Sequence, residues 1–116
     1  MNVLMVEPGM VPRSVVLEDG VAAMQEAVGG SIEAVYPFEE AVALICNEEG
    51  KLMGLPFNRV LRHPETGEIY DIIAGTFFLC AAPPESEDFE SLTEDQMGRY
   101  MELYRTPEFF FGQASW

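Results

Sequence analysis

The sequence predicts a small α+β domain, with a mostly antiparallel sheet of about five strands and two helices packed on one face of it. Two apolar runs, 41–46 and 76–82, predict central strands, because neither alternates with polar residues. Thr93 and Gln96 form a capping-box pattern, which predicts that a helix begins after Thr93.

The first third of the chain indicates a hairpin and a short helix. Residues 2–6 and 11–18 are apolar or β-branched and flank a Pro-Gly turn, so we expect a β-hairpin. Asp19 is the predicted N-cap of the helix, and Gly29 and Gly30 are expected to end it in the left-handed conformation.

The middle of the chain indicates further strands joined by turns. Residues 31–38 alternate between apolar and polar, which predicts a half-buried strand. Gly50 is expected to supply the positive φ of the next turn. Residues 51–64 show no clean period and are expected to form a loop. Within the following strand, 69–82, Gly75 indicates a bulge or a close backbone approach.

The chain of 116 residues divides into a single domain, 1–106, and an aromatic C-terminal tail, 107–116. Aromatic residues are enriched in protein interfaces. We therefore expect the tail either to pack on the domain, to form a homodimer contact, or to bind another protein. The tail residues concerned are Phe109, Phe110, Phe111 and Trp116.

The charge excludes several classes of partner. Twenty acidic and six basic residues give a net charge of −14. Direct binding to nucleic acid or to an anionic membrane is not expected, because phosphates require Lys and Arg. We find no signal peptide and no apolar run long enough for a membrane span, so a cytoplasmic protein is expected.

No catalytic residue, metal ligand or cofactor site is predicted. The cysteines Cys46 and Cys80 lie inside apolar runs at no metal-ligand spacing, which favours buried thiols. His63, the only histidine, has no nucleophile in a suitable context. The turn residues around it favour a surface β-turn.

A basic island within the acidic chain is one candidate binding region. Asn58 and Arg59 follow a Leu-Pro pair, and a guanidinium at such a position can recognise a carboxylate, a phosphate or a backbone segment. The alternative is that Asn58 caps a turn and Arg59 pairs with one of the many acidic residues. The island also contains Lys51, Arg62 and His63, and with Arg59 these residues either hold a small anion or pair with the acidic loop of the same molecule.

A dense acidic segment is the other candidate. It precedes and begins the last helix and comprises Glu85, Glu87, Asp88, Glu90, Glu94 and Asp95. Carboxylates on rigid elements can imitate the charge of duplex DNA, which carries one charge per about 1.7 Å of axis. The alternative is that they serve solubility and complement the helix dipole.

Several motifs along the chain resemble a known family. They are Val28-Gly29-Gly30-x-Ile32-Glu33, Asn47-Glu48-Glu49-Gly50-Lys51, Gly54-Leu55-Pro56-x-Asn58-Arg59, Asp71-Ile72-Ile73-Ala74-Gly75-Thr76-Phe77 and Phe89-x-Ser91-Leu92-Thr93. In this order and spacing the chain resembles the small acidic proteins of domain of unknown function 3846, found in phages, plasmids and their bacterial hosts. The resemblance implies a phage or mobile-element context and supplies no reaction. The tail after Pro107 lies outside the pattern.

The leading hypothesis is a non-enzymatic acidic interaction protein that binds a host or phage protein. Its most specific version is a DNA mimic with anti-restriction or anti-defence activity. The alternative is a protein that binds or sequesters a small anionic ligand through the 54–59 loop. A third hypothesis, an enzyme, is disfavoured because no nucleophile–base pair, metal cluster or phosphate loop is found.

Overall fold

The computed structural model describes residues 1–111, and these residues form the predicted α+β fold. The strands are β1 (Asn2–Val6), β2 (Arg13–Val16), β3 (Ile32–Val35), β4 (Val42–Asn47), β5 (Phe57–Arg62), β6 (Ile69–Ala74) and β7 (Phe77–Ala81). The helices are α1 (Val21–Val28) and α2 (Glu94–Tyr104).

Five strands form the main sheet in the order β2-β1-β7-β4-β3, and every neighbouring pair is antiparallel. The expected five-stranded antiparallel sheet is therefore confirmed. The predicted central strands are β4 and β7, which pair with Leu44 opposite Leu79, and both residues are fully buried. The strands β5 and β6 form a separate two-stranded antiparallel sheet.

The two helices lie on opposite faces of the main sheet, so the expectation that both pack on one face is wrong. Alternate residues of β1 show this clearly. Val3 and Met5 share a core with α1, whereas Leu4 and Val6 share a core with α2 and the β5–β6 hairpin. Side chains alternate between the faces of a strand. Central strands that are apolar at every position therefore require a cover on both sides.

The region 51–64, expected to be a loop, contains β5. Its alternation is hidden by a bulge, because Asn58 is an extra residue between the pairs Phe57–Ala74 and Arg59–Ile73. The apolar stretch 69–82 is likewise two strands in different sheets. Gly75, with a φ of 87°, forms the corner between them.

The predictions for three glycines have different outcomes in the structure. Gly75 fits the expected close backbone approach, because a Cβ there would lie 2.7 Å from Leu55 Cδ1. Gly29 ends α1 in the left-handed conformation as predicted. Gly50 does not have a positive φ. It is required for a different reason, since a Cβ at Gly50 would lie 2.5 Å from the carbonyl oxygen of Ala74.

The helix ends show which capping signals were sufficient. The Thr93–Gln96 capping box is present in full. Asp19 is not the N-cap of α1, because Gly20 occupies that position without a side-chain cap. The helix begins one residue later than expected, which leaves the Asp19 carboxylate one position outside the capping site.

Two glycine-to-alanine substitutions should have opposite effects on stability. Gly50→Ala is expected to lower the free energy of unfolding by about 1–3 kcal/mol, because the added methyl group meets backbone. Gly98→Ala, inside α2 with nothing within 4 Å of the added carbon, should raise it by up to about 1 kcal/mol. Urea denaturation of the two variants measures both changes, and effects of the same sign would contradict the prediction.

Candidate functional site

The buried Asn58–Arg59 pair at the start of β5 connects several separate segments. Both residues are 0% exposed. The Asn58 amide nitrogen donates to the carbonyl oxygens of Val6 and Gly75, at 2.9 Å each. Its side-chain oxygen accepts a hydrogen bond of 2.9 Å from Arg59 Nη1. The bulge residue Asn58 therefore joins β1, the Gly75 corner and its own neighbour.

The Arg59 guanidinium is surrounded by oxygen acceptors. Its Nε and Nη2 donate to the carbonyl oxygen of Tyr104, at 3.3 and 2.8 Å, and Nη2 also donates to Met10 O at 2.8 Å. Its Nη1 donates to the backbone and side-chain oxygens of Asn58. Burial lowers the pKa of Arg59, and the nearby Glu108 carboxylate opposes that shift. All five guanidinium N–H groups thus have acceptors.

Arg59 lies at the carboxyl end of α2, where the helix dipole favours positive charge. The last turn of α2 contains no basic residue of its own. The guanidinium that meets its terminal carbonyl comes instead from β5. This places Asn58 and Arg59 in an internal structural role, and contact with an external ligand does not fit their burial. In the predicted ligand-binding loop 54–59, Asn58 and Arg59 are therefore not accessible to a ligand.

The other members of the basic island are also engaged. Lys51 Nζ lies 2.5 Å from Asp71 Oδ1, beside a cavity of about 340 Å³. Arg62 Nη1 donates to the carbonyl oxygen of Gly67 at 2.9 Å. The His63 ring stacks on Tyr70, with centroids 4.5 Å apart. Lys51 thus pairs within the hairpin region and not with the acidic segment.

The acidic segment is exposed and anchored. Glu85, Glu87, Asp88 and Glu90 are all exposed. Ala81 and Glu90 exchange two backbone hydrogen bonds of 2.8 Å, which close the loop at its base. Leu92 N then donates to Asn2 O at 3.0 Å. The carboxylates therefore project from a loop that is held to the main sheet.

The acidic segment continues into the helix. Glu94 and Asp95 occupy the first turn of α2 and are exposed. Negative charge in that turn is stabilised by the helix dipole. These two residues therefore also fit the alternative explanation, in which they serve the helix itself.

A cluster around Glu40 was missed by the sequence analysis. The Glu40 carboxylate accepts hydrogen bonds from Arg99 at 2.8 and 3.2 Å and from the Tyr100 hydroxyl at 2.5 Å. Gln96 donates to it at 3.4 Å. Hydrogen bonds from Arg99 and then Tyr100 lower the pKa of Glu40 to about 2. The sequence pattern that could have indicated this cluster is the spacing of three residues on one face of α2, namely Gln96, Arg99 and Tyr100.

The described part of the tail lies against β5. Glu108 Oε1 accepts a hydrogen bond of 3.3 Å from Val60 N, and the Phe110 ring packs edge-on against Phe57 at 5.6 Å. Phe109 and Phe111 are 88% and 100% exposed. Part of the tail therefore packs on the domain, and the rest presents aromatic surface. Trp116 lies outside the described residues.

The cysteines have the environment expected of core residues. Cys46 and Cys80 are buried and free. Burial raises the pKa of each thiol to about 12, so both are protonated at neutral pH. A protonated thiol is a weak nucleophile.

Among residues 1–111, no group of three or more His, Cys, Asp or Glu side chains is arranged to hold a metal ion. In the same residues, neither helix is long and apolar enough to cross a membrane.

These features define a small acidic α+β domain in which four of the six Lys and Arg side chains pair with carboxylates and the other two, Arg59 and Arg62, donate to uncharged oxygens. The chain belongs to the family described as domain of unknown function (DUF3846), whose model matches residues 1–105. The suspected family resemblance is confirmed by this match. No curated protein and no solved structure matches the chain.

Removing the Arg59 side-chain charge should destabilise the fold. In Arg59→Met the carbonyl oxygens of Tyr104 and Met10 lose their donors, and each unsatisfied buried acceptor costs about 1–3 kcal/mol. Thermal or urea unfolding is the measurement. The control is Arg105→Met, which removes an exposed ion pair with Glu102 and should cost about 1 kcal/mol or less. Equal effects would contradict the structural role of Arg59.

The Glu40 cluster should make stability depend on acid pH. The folded-state pKa of Glu40 is lowered from 4.5 to about 2, so its contribution is complete above pH 4.5 and is lost as pH falls toward 2. Glu40→Gln should therefore melt at a lower temperature than the native chain at pH 7, with a gap that narrows on acidification. Glu102→Gln, at an exposed pair, is the control. A gap independent of pH would exclude this coupling.

Proposed function

We propose that this protein is a non-enzymatic interaction protein that binds a basic surface of another protein. The observation that supports this proposal is the distribution of charge. All six Lys and Arg side chains have acceptors within the molecule, whereas five of the twenty Asp and Glu side chains make an ion pair in residues 1–111. The surface charge available to a partner is therefore almost entirely negative, and it favours a positively charged protein.

The acidic segment is the proposed contact. Its loop is closed by the Ala81–Glu90 backbone bridge, and its continuation is the first turn of a capped helix. Carboxylates on anchored backbone lose less conformational freedom on binding than those on a free chain. Anchoring also keeps their spacing constant, which imitation of a nucleic-acid backbone requires.

In its finer form, the proposed partner is a DNA-binding protein such as a restriction enzyme, nuclease or repressor of a host cell. The acidic segment would occupy the cleft that DNA otherwise fills. The phage and plasmid context implied by the family resemblance supports an anti-restriction or anti-defence role in the host cytoplasm. The supporting physical point is that a protein cleft shaped for phosphates attracts any comparable array of negative charge.

The aromatic tail is a second proposed contact. Phe109 and Phe111 are exposed at the end of a tail whose base is fastened by Glu108 and Phe110. Large exposed aromatic side chains can form the apolar centre of an interface. Either a foreign partner or a second copy of this chain in a homodimer can occupy them.

A competition experiment tests the proposal. The chain is titrated into complexes of fluorescently labelled duplex DNA with a panel of restriction enzymes, nucleases and repressors, and anisotropy reports DNA release. We expect release from at least one member of the panel. The inhibition should weaken steeply with added salt, because association of opposite charges is screened.

Matched charge variants locate the contact. The test variant converts Glu85, Glu87, Asp88 and Glu90 to amides. The control converts four other exposed carboxylates without ion pairs, Glu18, Glu26, Glu65 and Glu68, so that the net charge changes equally. The test variant should lose at least about tenfold more inhibition than the control. Equal losses would remove the acidic segment as the contact, and inhibition insensitive to salt would remove DNA mimicry.

A further inference from the structure

A cavity of about 350 Å³ lies between the end of α2, the outer edge of β5 and the β3–β4 loop. This volume is at the lower end of the range for small-molecule pockets. Most of its wall is apolar and comes from Pro37, Phe38, Val60, Leu61 and Leu103. Its polar side chains are Arg62, His63, Tyr104 and Glu108.

The Tyr104 hydroxyl is a polar group without a partner in the described residues. Tyr104 is 6% exposed, and no hydrogen bond satisfies its oxygen there, whereas the neighbouring Tyr100 donates to Glu40. Among residues 1–111, every fully inaccessible side-chain oxygen or nitrogen has a partner. Tyr104 is also one of the residues that line the cavity, so a ligand bound there lies within the surroundings of this side chain. Burial raises the pKa of Tyr104, so its hydroxyl remains a donor.

The β5 edge adds backbone groups to the cavity. Val60 N donates to Glu108, so the Val60 backbone points away from β6. Backbone direction alternates along a strand. The register shift between Leu61 and Arg62 adds its extra residue to β6, so β5 continues without a bulge there. Arg62, two residues later and about 6.6 Å along it, therefore faces the same side as Val60. The Val60 carbonyl and the Arg62 N–H are the groups presented there.

The length of β5 edge that no other segment covers limits the size of the ligand that can bind there. Toward the start of β5 the edge is covered, because Glu108 bonds to Val60 and Phe110 packs on Phe57. In the other direction β5 ends at Arg62. Among residues 1–111, about one residue of the β5 edge has no covering segment, which is too short for an added strand and sufficient for one small molecule.

Opposite charges lie at the two ends of this open edge. Glu108 uses Oε1 for Val60, so its other oxygen can accept a further bond. Arg62 is exposed and donates one Nη1 hydrogen bond to Gly67, which leaves other guanidinium donors. A single negative or positive ligand would meet one favourable and one unfavourable charge. A zwitterion satisfies both.

We propose that this cavity binds a free α-amino acid with an apolar side chain. The ligand carboxylate meets Arg62, and its ammonium group meets Glu108. Its side chain packs against Phe38 and Leu103, and the Tyr104 hydroxyl donates to a ligand oxygen. This site is separate from the acidic segment, so the result of its test does not depend on the proposed interaction function.

Isothermal titration calorimetry with L-phenylalanine and L-leucine tests the site. The comparison ligands are 3-phenylpropionate, which lacks the ammonium group, and 2-phenylethylamine, which lacks the carboxylate. We expect each to bind at least about tenfold more weakly than phenylalanine, because each leaves one charged group of the protein unpaired. The His63 ring signals, unique in this chain, should shift in the NMR spectrum when phenylalanine binds.

Charge variants assign the two ends of the ligand. Arg62→Gln should weaken phenylalanine binding about tenfold and strengthen binding of 2-phenylethylamine, because it removes a like charge, while Glu108→Gln should weaken phenylalanine and strengthen 3-phenylpropionate for the same reason. Leu103→Trp, at an exposed position on the cavity wall, should abolish binding without altering the melting temperature. Arg105→Gln is the control outside the cavity.

Three results would overturn the proposal. They are absence of binding by both amino acids at millimolar concentration, equal affinity for phenylalanine and its one-charge analogues, and unchanged affinity in either charge variant.

Discussion

The buried guanidinium of Arg59 is the interaction on which the rest of the structure depends. It is 0% exposed, and no carboxylate in residues 1–111 lies within ion-pair distance. Backbone carbonyls from Tyr104, Met10 and Asn58 solvate it instead. Burying a charge without such partners costs several kcal/mol. The end of α2 and the β1–β2 turn must therefore be in place together with β5, which couples segments far apart in sequence.

This coupling also positions the surfaces that we propose for binding. Because Arg59 and Asn58 hold the hairpin and α2 together, both cover one face of the main sheet, and α1 covers the other. The cavity beside Tyr104 lies between these same elements. The basic side chains have acceptors within the fold, so exposed carboxylates, including those of the acidic segment, dominate the surface charge. A partner would meet negative charge and exposed aromatic side chains on a domain whose positive charges are already engaged.

The candidate site was only partly predictable, and particular residues show why. Asn58 and Arg59 were candidate binding residues in the sequence, but an Arg in an acidic chain does not reveal whether it faces solvent or the interior. That depends on carbonyls supplied from Tyr104 and Met10, more than 40 residues away in sequence. Tyr104 was not singled out in the sequence, and only the fold shows that its hydroxyl has no partner among residues 1–111. Glu40 was likewise undistinguished until Arg99 and Tyr100 were placed beside it.

The sequence by itself determined the α+β class, the central strands β4 and β7, the Thr93 cap and the acidic character, because apolar runs, local capping and charge are properties of neighbouring residues. Tertiary structure decided the rest. It placed the helices on opposite faces, made β5 a strand despite the Asn58 bulge, and gave Gly50 its role through contact with Ala74. It also turned Arg59 inward. Each of these outcomes depends on atoms contributed by distant segments, and a local pattern carries no information about which distant backbone will approach.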